Sequence, residues 1–84
     1  MVPSTKGMKA YIFVNAGRGR ALAVAEAVRS LIGVRDAEAI TGDFDVVATL
    51  EFDELGGLRS VMTAIQSIEG ISKTTTCLVI SESG

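Results

Sequence analysis

The chain has 84 residues, 48% of them hydrophobic, with one proline, one cysteine and no histidine or tryptophan. This composition is typical of a single folded domain near the lower size limit for independent stability, which favours oligomerisation, and it excludes a disordered chain. The net charge of −2 provides no field that would gather phosphate groups, so direct binding to DNA or RNA is not expected.

The termini and the single cysteine point to a reducing cytoplasm. Residues 1–7 lack the hydrophobic region of a signal peptide and are predicted to be a flexible lead-in, while residues 82–84 are predicted to be a loose tail. Residues 8–81 then form one domain. Cys77 has no second cysteine to pair with, and its apolar surroundings in the sequence predict a buried thiol.

The first half of the domain predicts a strand, a helix and another strand. The run from Met8 to Val14 is rich in Tyr, Ile, Phe and Val, which favours a central strand that stops at Asn15-Ala16-Gly17. A helix is predicted from Arg20 to the stop signal at Gly33. The apolar residues that predict its buried side are Leu22, Ala25, Val28, Leu31 and Ile32.

A hairpin is predicted next. Val34 to Thr41 alternates as a charged edge strand, and the turn at Gly42 joins it to a better-buried antiparallel strand from Val46 to Phe52. The two predicted faces of the edge strand are Ala37, Ala39 and Thr41 on one side and Val34, Asp36, Glu38 and Ile40 on the other.

The last third predicts a helix and a strand. Asp53-Glu54 opens the helix, Gly56-Gly57 weakens its first turn, and Gly70 ends it. Ile71 to Ile80 is then a strand that carries three threonines. The residues predicted to face the core from this helix are Leu55, Leu58, Met62 and Ile65.

The resulting order βαββαβ predicts an α+β fold of the ferredoxin-like plan. Right-handed crossovers place both helices on one face of a four-stranded antiparallel sheet. The other face has no cover, and several of its residues are apolar or neutral. Packing of one sheet on another in a dimer is therefore predicted.

The segment Ile40-Thr41-Gly42-Asp43-Phe44-Asp45 is the strongest candidate for a binding site. Gly42 permits a positive φ, and the carboxylates of Asp43 and Asp45 stand on either side of an aromatic ring. Such a cluster suits a small zwitterion. It is more typical of a ligand-sensing loop than of a catalytic one.

The sequence contains weak signals for catalysis, metal binding and phosphate binding. The absence of histidine removes the commonest general base. Asp43, Asp45 and Glu51 match no calcium-loop spacing, so neither a metal nor a cofactor is predicted. Gly17-Arg18-Gly19-Arg20 resembles a phosphate cradle, but an ordinary strand-to-helix turn with solvated arginines is favoured.

The threonines of the final strand are a second binding signal. Thr74 and Thr76 share one face, while Thr75 points to the other. Two hydroxyls on one face can hydrogen-bond a ligand carboxylate. Threonine is also common in strands for structural reasons, so these residues indicate a binding site only in combination with the Thr41 to Asp45 loop.

From about Met8 to Ser81 the chain resembles the effector-binding domain, or RAM domain, of the Lrp/AsnC family of leucine-responsive regulators. The similarity rests on Ala37 followed by Ile40 to Asp45 in the hairpin, on a helix closing at Ile68-Glu69-Gly70-Ile71, and on Thr74-x-Thr76 at the opening of the last strand. The seven residues before the first strand cannot supply the family's helix-turn-helix, so the similarity is to the stand-alone form.

The resemblance implies a non-catalytic module that binds an amino acid or similar small effector. It implies an α/β-sandwich dimer joined through its sheets, as in dimeric α/β barrels, and a higher assembly such as an octamer or decamer. Effectors would bind where dimers meet, and full-length Lrp/AsnC regulators are possible partners. The ligand-binding residues carried over are Thr41, Gly42, Asp43, Phe44, Asp45, Thr74 and Thr76.

An enzyme on the same scaffold is the alternative. A small dimeric α+β-barrel enzyme, such as a cofactor-free monooxygenase, shares the sheet-to-sheet design, and fold alone does not exclude it.

Overall fold

The computed structural model describes residues 7–80 and confirms the predicted element order. Residues 1–6 of the predicted lead-in and the predicted tail at 82–84 lie outside the described residues. The six elements are β1 Met8–Ala16, α1 Ala21–Arg29, β2 Val34–Ala39, β3 Val46–Phe52, α2 Leu55–Gln66 and β4 Ile71–Leu78.

The four strands form one antiparallel sheet in the order β2-β3-β1-β4, which confirms the ferredoxin-like plan. β1 lies inside the sheet, where its side chains alternate between the two faces. Ile12 and Val14 are buried beneath the helices, whereas Tyr11 and Phe13 lie on the opposite face and are only half-buried. We call the face that carries Tyr11 and Phe13 the open face.

The core fills the space between the sheet and the two helices. β1 and β3 supply it because alternate residues of each strand are apolar on that face. Each fully buried leucine or isoleucine contributes roughly 1.5–3 kcal/mol relative to an exposed one. The buried apolar residues are Ala10, Ile12, Val14, Val24, Ala25, Val28, Ala37, Val46, Ala48, Leu50, Phe52, Leu58, Val61 and Ile65.

The buried side of α1 differs from the prediction. Val24 is buried, whereas Leu22 is 76% exposed, because residues two apart on a helix point to nearly opposite sides. The helix ends at Arg29 instead of continuing to Gly33. Ile32 therefore falls in the following turn, where helical spacing no longer applies, and it is 97% exposed.

The buried side of α2 is also partly different. Leu58, Val61 and Ile65 face the core, and Met62 is half-buried. Leu55 was predicted to be buried but is 58% exposed. It is the first residue of α2 and follows the end of β3 by three positions.

A β-bulge changes the faces of β2. Val34 pairs with Leu50, but Asp36 pairs with Thr49, so Arg35 is an extra residue in the ladder. Val34 therefore lies on the core side, and its predicted place beside Asp36 is wrong. The strand also ends at Ala39 instead of Thr41.

The outer edge of β2 is protected by α1. The guanidinium of Arg29 donates two hydrogen bonds to the carbonyl oxygen of Ala37, at 3.1 and 2.6 Å. These bonds occupy a carbonyl that another strand would otherwise use for pairing. Together with the bulge, they support the predicted edge position of this strand.

β4 forms the other edge of the sheet and ends at Leu78, two residues before the predicted end. Its Cys77 pairs with Tyr11 and lies on the open face. The predicted burial of this thiol is wrong for the single chain, because alternate residues of β4 point away from the helices and Cys77 is exposed.

Both helices are short, with nine residues in α1 and 12 in α2. Each buries one side on the sheet and exposes the other. Among residues 7–80, no helix combines the length and the apolar character needed to cross a membrane.

The adjacent glycines of α2 provide a matched test of this packing. A Cβ on Gly56 would meet no atom within 4 Å, whereas a Cβ on Gly57 would lie 3.1 Å from the Cβ of Phe52. We expect Gly56→Ala to raise the free energy of unfolding by about 0.4–1 kcal/mol, because alanine reduces the entropy of the unfolded chain. Gly57→Ala should show no such gain. Urea denaturation of both variants measures the difference, and an equal gain in both would contradict the close packing against Phe52.

Candidate functional site

The candidate site is centred on the loop between β2 and β3, residues 40–45. The N–H of Ile40 donates to the carbonyl oxygen of Asp45 at 2.8 Å, which closes the loop across its base. Gly42 has a φ of +119°, a conformation that other residues rarely adopt. The sequence therefore places its glycine where the turn requires one.

Three further hydrogen bonds hold this loop against the end of β1. The N–H of Asp45 donates to the carbonyl oxygen of Val14 at 2.9 Å. The N–H of Ala16 donates to a carboxylate oxygen of Asp45 at 2.8 Å, where the pairing of β1 with β4 shifts register. The side-chain amide of Asn15 donates to the carbonyl oxygen of Asp43 at 2.8 Å. The loop backbone is thus fixed within a single chain.

The aromatic ring of the loop packs on the open face. The ring centroids of Phe44 and Phe13 lie 5.0 Å apart at an interplanar angle of 39°. Such a tilted pair contributes roughly 0.5–1.5 kcal/mol beyond the burial of its area. Phe44 therefore connects the loop to the exposed side of the sheet.

The two predicted threonines lie on the opposite side of the sheet from Phe44. Thr74 and Thr76 pair with buried residues of β1, and directly paired residues share a face, so both lie on the helix side. Thr75 pairs with Phe13 on the open face. The structure thus brings the loop residues together but does not bring these two threonines onto the same face as Phe44.

Two residues that the sequence analysis did not assign to the site lie beside the loop. Asn15 holds the Asp43 carbonyl, and Lys73 is the partner of Asn15 across β1 and β4. Lys73 also lines a depression of about 280 Å³. The sequence signal for Asn15 is its place at the predicted end of the first strand, although the strand continues to Ala16. The residues that line the depression are Gln66, Ile71, Ser72, Lys73 and Thr74.

The charges around the loop are unpaired within the described chain. Among residues 7–80 the sole ion pair joins Arg35 to Glu51. Asp43 and Lys73 therefore have no oppositely charged side chain bound to them there. Both remain available to a charged ligand.

A second depression, of about 290 Å³, lies at the other end of the sheet. It is lined by Ile32, Phe52 and Val61 together with acidic side chains, and no cationic residue of the described chain lines it. Phe52 pairs with Met8, whereas the loop adjoins Val14. This depression is therefore separate from the loop.

The residues considered for metal and phosphate binding do not come together as such a site in the described part of the chain. Glu51 pairs with Lys9 near the far end of β1, away from Asp43 and Asp45. In the part of the chain that the structure describes, no group of three or more possible metal ligands occurs. The N–H of Gly17 donates to the carbonyl oxygen of Gly70 at 2.8 Å and is not free to bind a phosphate.

The chain belongs to the Lrp/AsnC ligand-binding domain family, because the model of that family matches residues 9–83. A search of curated proteins finds no match. The family defines the class of this domain as a ligand-binding one.

Solved structures share the fold over nearly the whole chain. TTHA0845 from Thermus thermophilus is 26% identical, with a TM-score of 0.86 over 93% of this chain and 99% of the other. E. coli AsnC is 18% identical, with a TM-score of 0.83 over 99% of this chain and 60% of the regulator. The Neisseria meningitidis regulator NMB0573, solved in complex with L-Met, is 22% identical, with a TM-score of 0.79 over 100% of this chain and 59% of the regulator. The chain thus spans about three-fifths of these two regulators.

The two aspartates of the loop should differ in their effect on stability. We expect Asp45→Ala to lower the free energy of unfolding by about 1–3 kcal/mol, because it leaves the part-buried N–H of Ala16 without its acceptor. Asp43→Ala should change it by less than about 0.5 kcal/mol, because that side chain is exposed. Urea denaturation without ligand measures both. Equal losses would show that the Asp45 carboxylate does not anchor the loop.

Proposed function

We propose that this chain is a non-catalytic, amino-acid-sensing module of the cytoplasm that changes its assembly when an effector binds. The observation that carries the proposal is that the loop at residues 40–45 combines a fixed backbone with an exposed carboxylate. Its backbone is fixed by hydrogen bonds to β1, while the exposed carboxylate of Asp43 makes no bond within the described residues. A rigid backbone that presents an unpaired charge suits the recognition of a small zwitterion.

The effector class in this proposal is the free amino acid. The family is defined by ligand binding, and a structural neighbour was solved with L-Met. Asp43 would accept hydrogen bonds from the effector's ammonium group, a charge-assisted contact. Asp45 is less suited to this role, because one of its oxygens already accepts from Ala16.

The remaining predicted residues complete the proposed site. Thr41 and Gly42 are exposed in the loop and offer a hydroxyl and a backbone N–H to the effector. Phe44 shapes the loop from the open face. Thr74 and Thr76 lie on the helix side, so a single effector contacts them together with the loop only if a neighbouring copy supplies one of the two sets.

A second copy of the chain is the proposed cover of the open face. Tyr11, Phe13 and Val47 are half-buried there, and neither α1 nor α2 lies above them. Isolated monomers rarely leave a contiguous apolar surface exposed across a sheet. The dimer would place its sheets face to face, and further dimers would meet around the loops.

Effector binding and assembly are linked in this proposal. An effector that contacts two copies binds only the assembled form, so it must shift the equilibrium towards that form, and assembly must raise its affinity. Full-length Lrp/AsnC regulators could enter the same assemblies through the same surfaces. Both consequences depend on a ligand seated between copies.

A thermal-shift screen against the twenty amino acids tests effector binding. At a ligand concentration a hundred times its Kd, we expect the free energy of unfolding to rise by about 2.7 kcal/mol, and the Tm by several degrees. Asp43→Ala should abolish the shift without lowering the Tm of the free protein. Asp53→Ala removes the same charge at the other end of the sheet and should preserve the shift. The absence of any shift from all twenty amino acids would contradict sensing.

The proposed dimer is tested by a charge on the open face. We expect Val47→Lys to produce a monomer in sedimentation analysis, because the new ammonium group would have to be buried between two sheets. Thr63→Lys, on the exposed side of α2, is the matched control and should leave the assembly unchanged. Circular dichroism verifies that both variants fold. A dimer that survives Val47→Lys would contradict sheet-to-sheet packing.

A further inference from the structure

We propose that Lys73 binds the α-carboxylate of the effector and so makes this site selective for amino acids with a free carboxylate. The inference rests on the proposed function, since it assumes that an amino acid binds near the loop. Lys73 is not among the ligand-binding residues that the sequence predicts. The structure supports it through position, surroundings and charge.

Asn15 connects the two charges. Its side-chain amide holds the carbonyl oxygen of Asp43 at 2.8 Å, and its backbone is the cross-strand partner of Lys73. Neighbouring strands lie only about 4.8 Å apart. Asp43, which carries a carboxylate, and Lys73, which carries an ammonium group, therefore lie on either side of Asn15. This is the charge pattern that the two ends of a zwitterion require.

The depression beside Lys73 offers polar contacts to a carboxylate. Thr74 and Gln66 are among its lining residues, and their side chains carry a hydroxyl and an amide. The hydroxyl of Ser72 is already used, because it donates to the carbonyl oxygen of Asn15 at 3.1 Å. Lys73 pairs with Asn15 on the open face, whereas Thr74 pairs with Val14 on the helix side, so Lys73 is the donor that an effector at the loop of the same copy can reach.

Charge distinguishes this depression from the other one. The depression at the other end of the sheet is lined by Glu51, Asp53 and Glu54, whose carboxylates would repel an effector's carboxylate. Among the described residues, Lys73 is the one cationic residue that lines either depression. Within residues 7–80 it makes no ion pair that an effector would have to displace. Its flexible four-carbon stem lets the ammonium group reach a ligand in the depression or beside the loop.

The test compares a free amino acid with its α-carboxamide, which lacks the negative charge. The probe is the L-amino acid that gives the largest Tm shift among the twenty, together with its carboxamide, at about pH 6.5 so that both keep a protonated amino group. Titration calorimetry gives the two Kd values for the unmodified chain and for Lys73→Gln. Lys9→Gln is the matched control, since it removes the same charge from β1 at the other end of the sheet.

The unmodified chain and Lys9→Gln should bind the free acid at least about tenfold more tightly than the carboxamide, as expected for a charge-assisted hydrogen bond. In Lys73→Gln this preference should disappear, through weaker binding of the free acid, and Lys73→Arg should restore most of it. A preference that persists in Lys73→Gln would overturn the assignment while leaving amino-acid sensing intact. Failure of all twenty amino acids to bind the unmodified chain would overturn both.

Discussion

The hydrogen bonding of β1 to β3 on one side and to β4 on the other positions every other part of this domain. Alternate side chains of β1 form the centre of the core, and its last residues bind the loop. Ordering a loop residue costs roughly 1–2 kcal/mol of conformational entropy. Because β1 already fixes the loop through Val14, Asn15 and Ala16, an effector would not have to supply that free energy on binding.

The two aspartates of the loop have different surroundings in the structure. Asp45 turns inward and accepts the N–H of Ala16 at the irregular end of β1. Within residues 7–80, Asp43 contributes its backbone carbonyl to the fold, and its side chain is exposed. The two aspartates are indistinguishable in composition. Their different hydrogen-bond partners separate them.

The sheet distributes the candidate binding groups over both of its faces. Phe44 lies against Phe13 on the open face, whereas Thr74 and Thr76 lie on the helix side of an edge strand. Arg29 and the bulge at Arg35 protect the β2 edge, while the described residues place no equivalent side-chain bond on the outer edge of β4. Within the described residues, the two edges of the sheet are therefore protected to different degrees.

The chain's alternation and helical spacing were sufficient to predict the fold, because apolar residues recur at period two in β1 and β3 and near period 3.6 in α2. The same spacing was wrong for Leu22 and Ile32, since it does not show where α1 stops or which of its sides meets the sheet. The turn at Gly42 was likewise predictable, because glycine tolerates the positive φ that the turn adopts.

The sequence by itself determined the element order, the ferredoxin-like plan and the loop at residues 40–45, because these depend on local periodicity and turn chemistry. Only the tertiary structure decided that Arg35 forms a bulge, that Cys77 is exposed, that Asp45 anchors the loop and that Lys73 stands opposite Asn15. These facts depend on strand register and on hydrogen bonds between residues far apart in the chain, and the paired residues Tyr11 and Cys77 are 66 positions apart. No local pattern in the chain encodes such contacts.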